Sequence, residues 1–334
     1  MKKNVFITGG AGFIGSHLIE KLVKLNFNVK ALVPYNVDNS WGWIDTFDKK
    51  ILNNIEVIQG DISDSNLIRR EIKGSNLIFN LAALISIPYS YKSSFSYVNS
   101  NIIGSLNFLE AIRDINLDLY VQTSTSEVYG SAQYIPIDEK HPLNAQSPYA
   151  ATKIASDQLA LSFEKTFKLP ITIIRPFNNF GPRQSLRAVI PTIINQCLSE
   201  KKYISLGNLK ARRDFLYVDD CVDGFIKCIK NKKKCIGKTI NLSTNNDHTI
   251  LKVVKEISLI TGTKKKIILD KDRIRPKKSE VDLLRGSNNL AKKILGWEAK
   301  LSNKKNFRVA LEKTVSWYKK NFHKFKDKTY NYNI

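Results

Sequence analysis

The chain has 334 residues, 43% of them hydrophobic, and its 53 Lys and Arg against 30 Asp and Glu give a formal net charge of +23. This length suits one large α/β unit with a smaller lobe, and no apolar run approaches the ~20 residues that a membrane span needs. The basic residues are scattered and accompany no groove-reading motif, so we predict neither specific nucleic-acid binding nor membrane attachment. Because Met1 leads almost directly into the first predicted strand, we expect a cytoplasmic protein without a signal peptide.

The first predicted element is a buried strand at Asn4–Thr8, followed by a glycine-rich turn and a helical pattern that runs to Leu25. In the turn, Gly9 allows a tight reversal, Gly12 lets the backbone approach a pyrophosphate, and Gly15 allows close packing of helix on strand. The positive end of the helix would then face the phosphates. The strand, the turn and the helix together predict a dinucleotide-binding site.

The end of the second strand, at Val29–Val33, should show how the adenosine ribose of such a dinucleotide is recognised. The chain continues with Pro34, Tyr35 and Asn36, so neither Asp nor Arg stands at the usual place, and Asp38 comes late. NAD and NADP are therefore both open. Since no acid repels a 2′-phosphate, the sequence slightly favours NADP.

An aromatic insertion, Asn39-Ser40-Trp41-Gly42-Trp43, follows this strand. It could pack under its own loop or close over the site as a lid. We favour packing.

The remaining pattern alternates strands with helices, as in a parallel sheet. Further strands are predicted at 55–59, 77–81 and 171–175, and helices at about 101–112 and 148–167. We predict an α/β Rossmann-type doubly wound parallel sheet with a smaller C-terminal substrate-binding lobe. The expected boundaries are 1–175 with about 215–243 for the dinucleotide-binding domain, and 176–214 with 244–330 for the lobe.

The four cysteines form no Cys-x-x-Cys pair and are expected to be free thiols in a cytoplasmic protein. The seven-residue spacing of Cys221, Cys228 and Cys235 is compatible with a metal site, but Cys221 and Cys228 fit a buried helix face better. We predict no metal.

Tyr149 and Lys153 stand four residues apart, and Pro148 before them suits the first turn of a helix. The two side chains would share a helix face, where the ammonium would lower the pKa of the phenol and make it a usable base. The alternative is an exposed tyrosine on an amphipathic helix. Tyr-x-x-x-Lys alone is weak evidence, and we favour a catalytic pair because the glycine turn is also present.

Gly9-x-x-Gly12-x-x-Gly15 together with Tyr149-x-x-x-Lys153 resembles the extended short-chain dehydrogenase/reductase family, the nucleotide-sugar epimerases and dehydratases. The resemblance covers nearly the whole chain. Its other matching pieces are Gly60-Asp61-Ile62, Asn80-Leu81-Ala82-Ala83, Asn101, Arg175-Pro176-Phe177-Asn178, Gly181-Pro182-Arg183 and Arg212-Arg213-Asp214-Phe215.

Within that family, the triplet Thr125-Ser126-Glu127 resembles the 4,6-dehydratases, whereas epimerases usually carry small or polar residues at the last two positions. A carboxylate there can remove the C5 proton once C4 has become a ketone. The insertion at 39–43 and the segment 83–91 resemble the dehydratases of legionaminic acid biosynthesis, which act on a nucleotide-linked N-acetylglucosamine. At 85–86, Ile and Ser replace the family's usual Ser-His, so sugar contacts from Tyr89 and Tyr91 are an alternative.

The resemblance implies roles for individual residues. The catalytic set is Thr125, Ser126, Glu127, Tyr149 and Lys153. The cofactor-binding set is Gly9, Gly12, Phe13, Ile14, Gly15, Asn36, Asp61, Ile62, Leu81, Ala82, Ala83, Asn101, Thr123, Tyr149 and Lys153. The substrate-binding set is Ser86, Tyr89, Asn178, Arg187, Val189, Arg213, Arg275 and Glu280, with Arg213 and Arg275 clamping the diphosphate.

The implied activity is 4,6-dehydration of GDP- or UDP-N-acetylglucosamine, with GDP favoured. A tightly bound NADP or NAD would be recycled in each turnover. A homodimer through a four-helix bundle is implied as well. A nucleotide-sugar 4-epimerase is the alternative enzyme, and a sensor without turnover is a third possibility that the intact Tyr149, Lys153 and Glu127 argue against.

Overall fold

The computed structural model describes residues 2–274 and 276–325. Its strands are β1 (Asn4–Thr8), β2 (Asn28–Val33), β3 (Ile55–Gln59), β4 (Leu77–Asn80), β5 (Leu119–Thr123), β6 (Ile171–Pro176), β7 (Asn178–Phe180), β8 (Tyr203–Leu206), β9 (Arg212–Arg213), β10 (Phe215–Tyr217), β11 (Thr239–Leu242), β12 (His248–Thr249), β13 (Lys266–Leu269) and β14 (Leu283–Leu284).

The α-helices are α1 (Phe13–Lys24), α2 (Lys49–Leu52), α3 (Ser65–Glu71), α4 (Ile87–Lys92), α5 (Ser94–Tyr97), α6 (Gly104–Ala111), α7 (Pro148–Phe167), α8 (Val189–Leu198), α9 (Val218–Lys230), α10 (Lys232–Cys235), α11 (Ile250–Thr261), α12 (Asn289–Leu295) and α13 (Phe307–Lys320). Short 3-10 helices lie at Gly42–Thr46, Ile112–Asp114, Ser126–Tyr129, Lys271–Arg273, Lys277–Ser279 and Phe322–Lys324, and a π-helical turn lies at Val98–Ile103.

Seven parallel strands form the central sheet in the order β11-β6-β5-β4-β1-β2-β3. The order reverses beside β1, between β2 and β4, as in a doubly wound Rossmann sheet. Alternate residues of β1 point to opposite faces: Val5 and Ile7 belong to one buried cluster and Phe6 to another. Both faces of the sheet are therefore covered, and the predicted α/β fold is confirmed.

The bounds of the predicted elements agree closely with the structure. Helix α7 begins at Pro148, with Ser147 as its N-cap accepting a hydrogen bond from the amide of Ala150. The helix predicted from Asn101 begins earlier, at Ser94, and passes through the π-helical turn before it continues as α6. The sequence prediction missed this first part because a π-helical turn shifts the spacing of the apolar residues.

Three small sheets lie beyond the central one: β7 with β10, β8 with β13, and β9 between β12 and β14. Through these pairings β7 lies beside β10, and β9, which directly precedes β10 in the chain, lies beside β14. The segments near residues 178, 213 and 284 are thereby brought together. The boundary between domain and lobe stays a prediction.

The aromatic insertion after β2 packs against the C-terminal part of the chain, as we favoured. The Trp43 ring lies 5.4 Å from the Trp317 ring of α13 and 6.5 Å from Phe325, centroid to centroid. The Trp43 amide also donates a hydrogen bond to the carbonyl oxygen of Ala11, at 3.2 Å. The insertion therefore supports the glycine turn from outside.

All four cysteines are buried free thiols, and Cys221 and Cys228 lie on the buried face of α9 as predicted. Among the described residues, no group of three or more His, Cys, Asp or Glu side chains is arranged to hold a metal ion. Within the same residues, none of the helices combines the length and the apolar character that crossing a membrane requires.

Candidate active site

The glycine turn between β1 and α1 has the geometry that its sequence predicts. Gly9 has φ +69°, a left-handed conformation that side chains rarely adopt. A Cβ on Gly15 would overlap the carbonyl oxygen of Gly9, so the helix can approach the turn this closely only with glycine there. These two positions bring the start of α1 directly against the end of β1.

The start of α1 is open to an anion. Gly12 caps the helix without any side-chain hydrogen bond, and the amides of Phe13 and Ile14 donate to no acceptor among the described residues. Unpaired amides at a positive helix end are suited to a phosphate group. The predicted dinucleotide therefore fits this turn.

A polar layer joins the carboxyl ends of β1 and β4. The Thr8 hydroxyl donates to the Asn80 side-chain oxygen at 2.7 Å and accepts from the amides of Leu81 and Ala82 at 3.0 and 2.9 Å. This layer holds the backbone of the predicted cofactor residues Leu81 and Ala82. Thr8 was missed by the sequence analysis, although a polar residue ending an otherwise apolar strand is a readable signal.

The side chains of the remaining predicted cofactor residues differ in their exposure and in their hydrogen bonding. Asp61 is exposed and Ile62 buried at the end of β3. The Asn36 side chain binds within its own loop, to the carbonyls of Pro34 and Ser40 and to the Ser40 amide.

Asn101 lies in the π-helical turn with its side chain buried. Its amide group donates to the carbonyl of Leu84 and to the Thr152 hydroxyl, and accepts from the Leu84 amide. Both of its donor hydrogens are used, so in this structure Asn101 holds the loop after β4. Direct contact with a cofactor stays a prediction.

Tyr149 and Lys153 lie on one buried face of α7, as predicted. Tyr149 is 7% exposed and Lys153 is 4% exposed. The Lys153 ammonium donates to the carbonyl of Thr123, at the end of β5, at 2.6 Å. The Tyr149 phenol lies near Thr125, which acts on its pKa. Helix α7 thus carries both residues to the carboxyl edge of the sheet.

The pKa of Tyr149 is raised in this structure, not lowered as its spacing from Lys153 predicted. Burial raises the pKa of Tyr149 well above its ordinary value, and the nearby Glu127 carboxylate raises it further, while Thr125 acts in the opposite direction. Burial also lowers the pKa of Lys153 to about 8. Both groups lose water on burial, and this disfavours their charged forms.

The Thr125-Ser126-Glu127 triplet forms the start of a 3-10 helix beside Tyr149. Thr125 is its N-cap, and the Thr125 hydroxyl accepts a hydrogen bond from the Glu127 amide at 3.2 Å. Ser126 is 2% exposed, whereas Glu127 is partly exposed. No described residue hydrogen-bonds or ion-pairs with the Glu127 carboxylate. A carboxylate acceptor therefore stands next to the phenol.

Several predicted substrate residues meet around Tyr97, which the sequence analysis missed. The Tyr97 hydroxyl donates to the carbonyl of Ser86 at 2.5 Å, and its ring lies 6.2 Å from Tyr89 and 6.3 Å from Tyr149. The charge of Arg187 acts on the pKa of Tyr97 and lowers it, although burial raises that pKa overall to about 12. Tyr97 falls in the part of the helix that the sequence did not predict.

Two further predicted substrate residues are paired. Arg213 Nη2 lies 3.4 Å from Glu280 Oε1. The Gln146 side chain, two residues before α7, donates to the carbonyls of Lys278 and Glu280. The lobe segment that carries Glu280 is thereby attached to the start of the Tyr149 helix. Arg275 lies outside the described residues.

Two predicted site residues carry buried polar atoms without a hydrogen-bond partner in the described part of the chain. They are the Thr123 hydroxyl and the Asn178 side-chain oxygen. Such atoms are uncommon in folded proteins and call for an explanation. A bound cofactor or substrate would supply such an explanation.

The predicted substrate residue Val189 is the first residue of α8 and is partly buried, two residues after Arg187.

The family model described as GDP-mannose 4,6 dehydratase matches residues 6–308. The chain belongs to this family. It is 30% identical to human dTDP-D-glucose 4,6-dehydratase over 97% of this chain and 92% of that one. It is 32% identical to UDP-N-acetyl-alpha-D-glucosaminuronate decarboxylase of Bacillus cytotoxicus over 80% of this chain and 83% of that one.

Solved structures of similar proteins give the same picture. The dTDP-glucose 4,6-dehydratase of Bacillus anthracis, solved with NAD, has a TM-score of 0.84 and 27% identity, covering 98% of this chain and 99% of that one. The UDP-N-acetylglucosamine 4-epimerase of Methanobrevibacter ruminantium also has a TM-score of 0.84 and 27% identity, covering 96% and 100%. This family member is therefore an enzyme of the nucleotide-sugar dehydratase and epimerase group, and dehydratases and epimerases resemble it to a similar degree.

Proposed function

We propose that the chain is a 4,6-dehydratase of a nucleotide-linked N-acetylglucosamine, with the GDP sugar favoured over the UDP sugar. Its product would be the 4-keto-6-deoxy sugar nucleotide. The observation that carries this proposal is Glu127, a partly exposed carboxylate that raises the pKa of the adjacent Tyr149. Elimination of water needs such an acceptor for the C5 proton, whereas epimerisation at C4 does not.

The nicotinamide of a bound dinucleotide would supply the hydride acceptor and donor for this chemistry. Tyr149 accepts the proton of the C4 hydroxyl while Thr125, beside the same phenol, orients that hydroxyl. Tyr149 must be in its phenolate form to accept this proton; burial raises its pKa, so the positive charges of Lys153 and of a bound oxidised nicotinamide would be needed to favour that form. Lys153 donates to the carbonyl of Thr123 at the end of β5 and so holds α7, which carries Tyr149, against that strand.

Glu127 then removes the C5 proton, which the C4 ketone has made acidic. The C6 hydroxyl leaves as water, and its proton comes from Glu127 itself or through the Ser126 hydroxyl. As C6 received the hydride, C5 would take a proton from solvent through Glu127, and Tyr149 would return the C4 hydroxyl proton to solvent, so that one water is lost overall. The reaction is redox-neutral overall, so the dinucleotide stays bound between turnovers.

We propose NAD as the dinucleotide, in place of the slight preference for NADP that the sequence alone gave. The loop 34–41 contains no Lys or Arg, and the Asn36 side chain is used within that loop. A 2′-phosphate would thus find no cation in this loop. Proteins of similar structure were solved with NAD. Release of the bound dinucleotide by denaturation and its separation by chromatography would identify it.

A nucleotide-sugar 4-epimerase is the second candidate, because epimerases of known structure match this chain as well as dehydratases do. In that case Glu127 would have no part in the reaction.

One incubation distinguishes the two. The purified enzyme is given GDP-N-acetylglucosamine or UDP-N-acetylglucosamine in deuterated water, and product mass and the C5 and C6 proton signals are recorded. Loss of water with deuterium at C5 is the expected result and identifies the nucleotide. An isomer of unchanged mass would replace the dehydratase assignment with the epimerase.

A further inference from the structure

A buried charge cluster lies behind the Tyr149 and Lys153 pair. Asp157, one helical turn beyond Lys153 on α7, is 0% exposed. Its Oδ2 atom accepts from the Ser124 hydroxyl at 2.7 Å and from Arg175 Nε at 3.0 Å, and it lies 3.0 Å from Arg175 Nη2. Three donors therefore converge on one oxygen of this carboxylate.

The other carboxylate oxygen of Asp157 is unusual. Oδ1 is buried and has no hydrogen-bond partner among the residues described. Arg–carboxylate pairs are frequently bidentate, with one nitrogen on each oxygen. Here both close nitrogens of Arg175 contact Oδ2, so Oδ1 receives no hydrogen bond from the described residues.

Arg175, the cation that pairs with Asp157, is held in place from two further elements. The Tyr129 hydroxyl accepts from Arg175 Nη1 at 3.0 Å and donates to the Asn241 side-chain oxygen at 2.8 Å. The Arg175 guanidinium carbon also lies 5.0 Å from the centre of the Tyr129 ring. Burial raises the pKa of Asp157, and the adjacent guanidinium and the Ser124 hydroxyl oppose that rise.

Lys153 lies four residues before Asp157 on the same buried face of α7, so the two side chains are neighbours along the helix. Burial lowers the pKa of Lys153 to about 8, and the charge of Asp157 opposes this decrease. Loss of that negative charge would therefore move Lys153 further toward its neutral form. The other titratable or charged groups around this pair are Tyr97, Glu127, Tyr129, Glu139, Tyr149 and Arg175.

We propose that Asp157 is a positioning residue whose carboxylate keeps the Lys153 side chain protonated and directed at the carbonyl of Thr123. The Arg175, Ser124 and Tyr129 contacts hold that carboxylate one turn below the reacting pair. The inference deepens the proposed function, since it rests on Lys153 acting in the site.

The test follows the titration of Lys153 directly. The protein is labelled with lysine carrying ¹³C at Cε, and the Lys153 signal is identified by its absence in Lys153→Met. In Asp157→Asn, we expect the titration midpoint of this signal to move down by about one pH unit or more. Asp157→Glu keeps the charge and should leave the midpoint near that of the wild type.

A second residue provides a matched control. Asp214 is equally buried and hydrogen-bonded, to the Thr244 amide and hydroxyl and to the Gly286 amide, but it belongs to a different cluster. Asp214→Asn should leave the Lys153 titration unchanged. If Asp157→Asn is unstable because Arg175 is left unpaired, it is titrated beside the wild type in a stabilising osmolyte, and the same downward shift is expected.

An unchanged Lys153 midpoint in folded Asp157→Asn would overturn the proposal. Because the titration is read without substrate, this result is separate from whether the protein dehydrates a sugar nucleotide. Where the dehydratase assay is positive, the alkaline limb of its pH profile should move down with the same variants, which loss of a purely structural ion pair would not produce.

Discussion

Glu127 is the residue on which the reaction assignment depends. Its carboxylate lies close enough to Tyr149 to affect the pKa of that phenol, and no described side chain binds it. We expect Glu127→Gln to bind the dinucleotide and oxidise C4 but to lose dehydration by roughly 10²–10⁴-fold, because an amide cannot accept the C5 proton. Product mass and the absorbance of the reduced cofactor measure the two steps separately. Normal dehydration in this variant would contradict the assignment.

Tyr149 acts one step earlier than Glu127. Removal of its hydroxyl leaves no acceptor for the C4 proton, while Thr125 keeps its own contacts with the Glu127 amide. We expect Tyr149→Phe to block even the first oxidation, so that no reduced cofactor accumulates on addition of substrate. Glu127→Gln is the matched control, since it should still show that accumulation. Reduced cofactor in Tyr149→Phe would show that another group is the base.

The buried ammonium of Lys153 also predicts a pH dependence of stability. Its pKa is about 8 in the folded protein against an ordinary value of 10.5, so the unfolded chain binds more protons between these limits. The free energy of unfolding should therefore rise with pH from about 8 to 10.5, and the cost of burying the charge is fully present below pH 8.

Comparison with Lys153→Met isolates this contribution. The wild type should gain stability relative to the variant as the pH rises through this window, whatever the difference at neutral pH. Urea unfolding of both proteins at pH 7, 8, 9 and 10 measures it. A difference in stability that does not vary with pH would mean that the Lys153 pKa is not lowered.

At the scale of elements, a methyl group added to the glycine turn should have different effects on fold stability and on dinucleotide binding, depending on the glycine replaced. A Cβ at Gly15 overlaps the Gly9 carbonyl oxygen, whereas one at Gly12 meets the same oxygen at 3.2 Å, within reach of a small shift. We expect Gly15→Ala to destabilise the fold by about 1–3 kcal/mol and to weaken dinucleotide binding. Gly12→Ala should weaken binding with little change in stability, because its methyl group projects where the pyrophosphate is predicted.

Thermal unfolding and dinucleotide titration of both variants test this contrast. Equal losses of stability in the two would show that the turn is not packed as described. Unchanged affinity in Gly12→Ala would place the pyrophosphate elsewhere.

The agreement between sequence and structure is best where a local rule decides the outcome. Pro148 and the apolar spacing after it predicted α7 from its first to its last residue, and the alternation of strands and helices predicted the sheet. Tyr97 and Asp157 were missed for different reasons. Tyr97 lies in the part of its helix before the π-helical turn, where the apolar spacing does not reveal a helix. Asp157 is recognisable as part of a charge cluster only from its ion pair with Arg175, which lies on a strand distant in sequence.

The protonation states of the site could not be predicted either. Spacing placed Lys153 beside Tyr149 correctly, but the direction of the pKa shift depends on how far both groups are removed from water. That quantity follows from the packing of Tyr97, Thr125 and the neighbouring loops, which sequence patterns do not give.

At the scale of the whole molecule, helix 94–114 has an apolar surface that suggests self-association. Phe95 is 81% exposed, Val98 40% and Ile103 39%. Exposed apolar groups clustered on one helix are typical of interfaces, and a homodimer through this helix and α7 stays our prediction.

The oligomer prediction can be tested by light scattering after gel filtration. We expect the wild type at about twice its 38.0 kDa chain mass and Phe95→Glu at the monomer mass. Leu259→Glu is the matched control, since Leu259 on α11 is also an exposed apolar residue, at 68%. A monomeric wild type, or a Phe95→Glu variant that stays dimeric, would exclude this interface.

The contact of Trp43 with Ala11 and Trp317 joins the first loop of the chain to α13, the last long helix among the described residues. A ribosome releases the glycine turn long before α13 exists, so the turn gains this outer support only near the end of synthesis. The nascent chain would then acquire its full affinity for the dinucleotide late, when the helix from Phe307 to Lys320 has docked. Fragments that stop before that helix would contain every residue of the glycine motif but would lack Trp317, against which Trp43 packs.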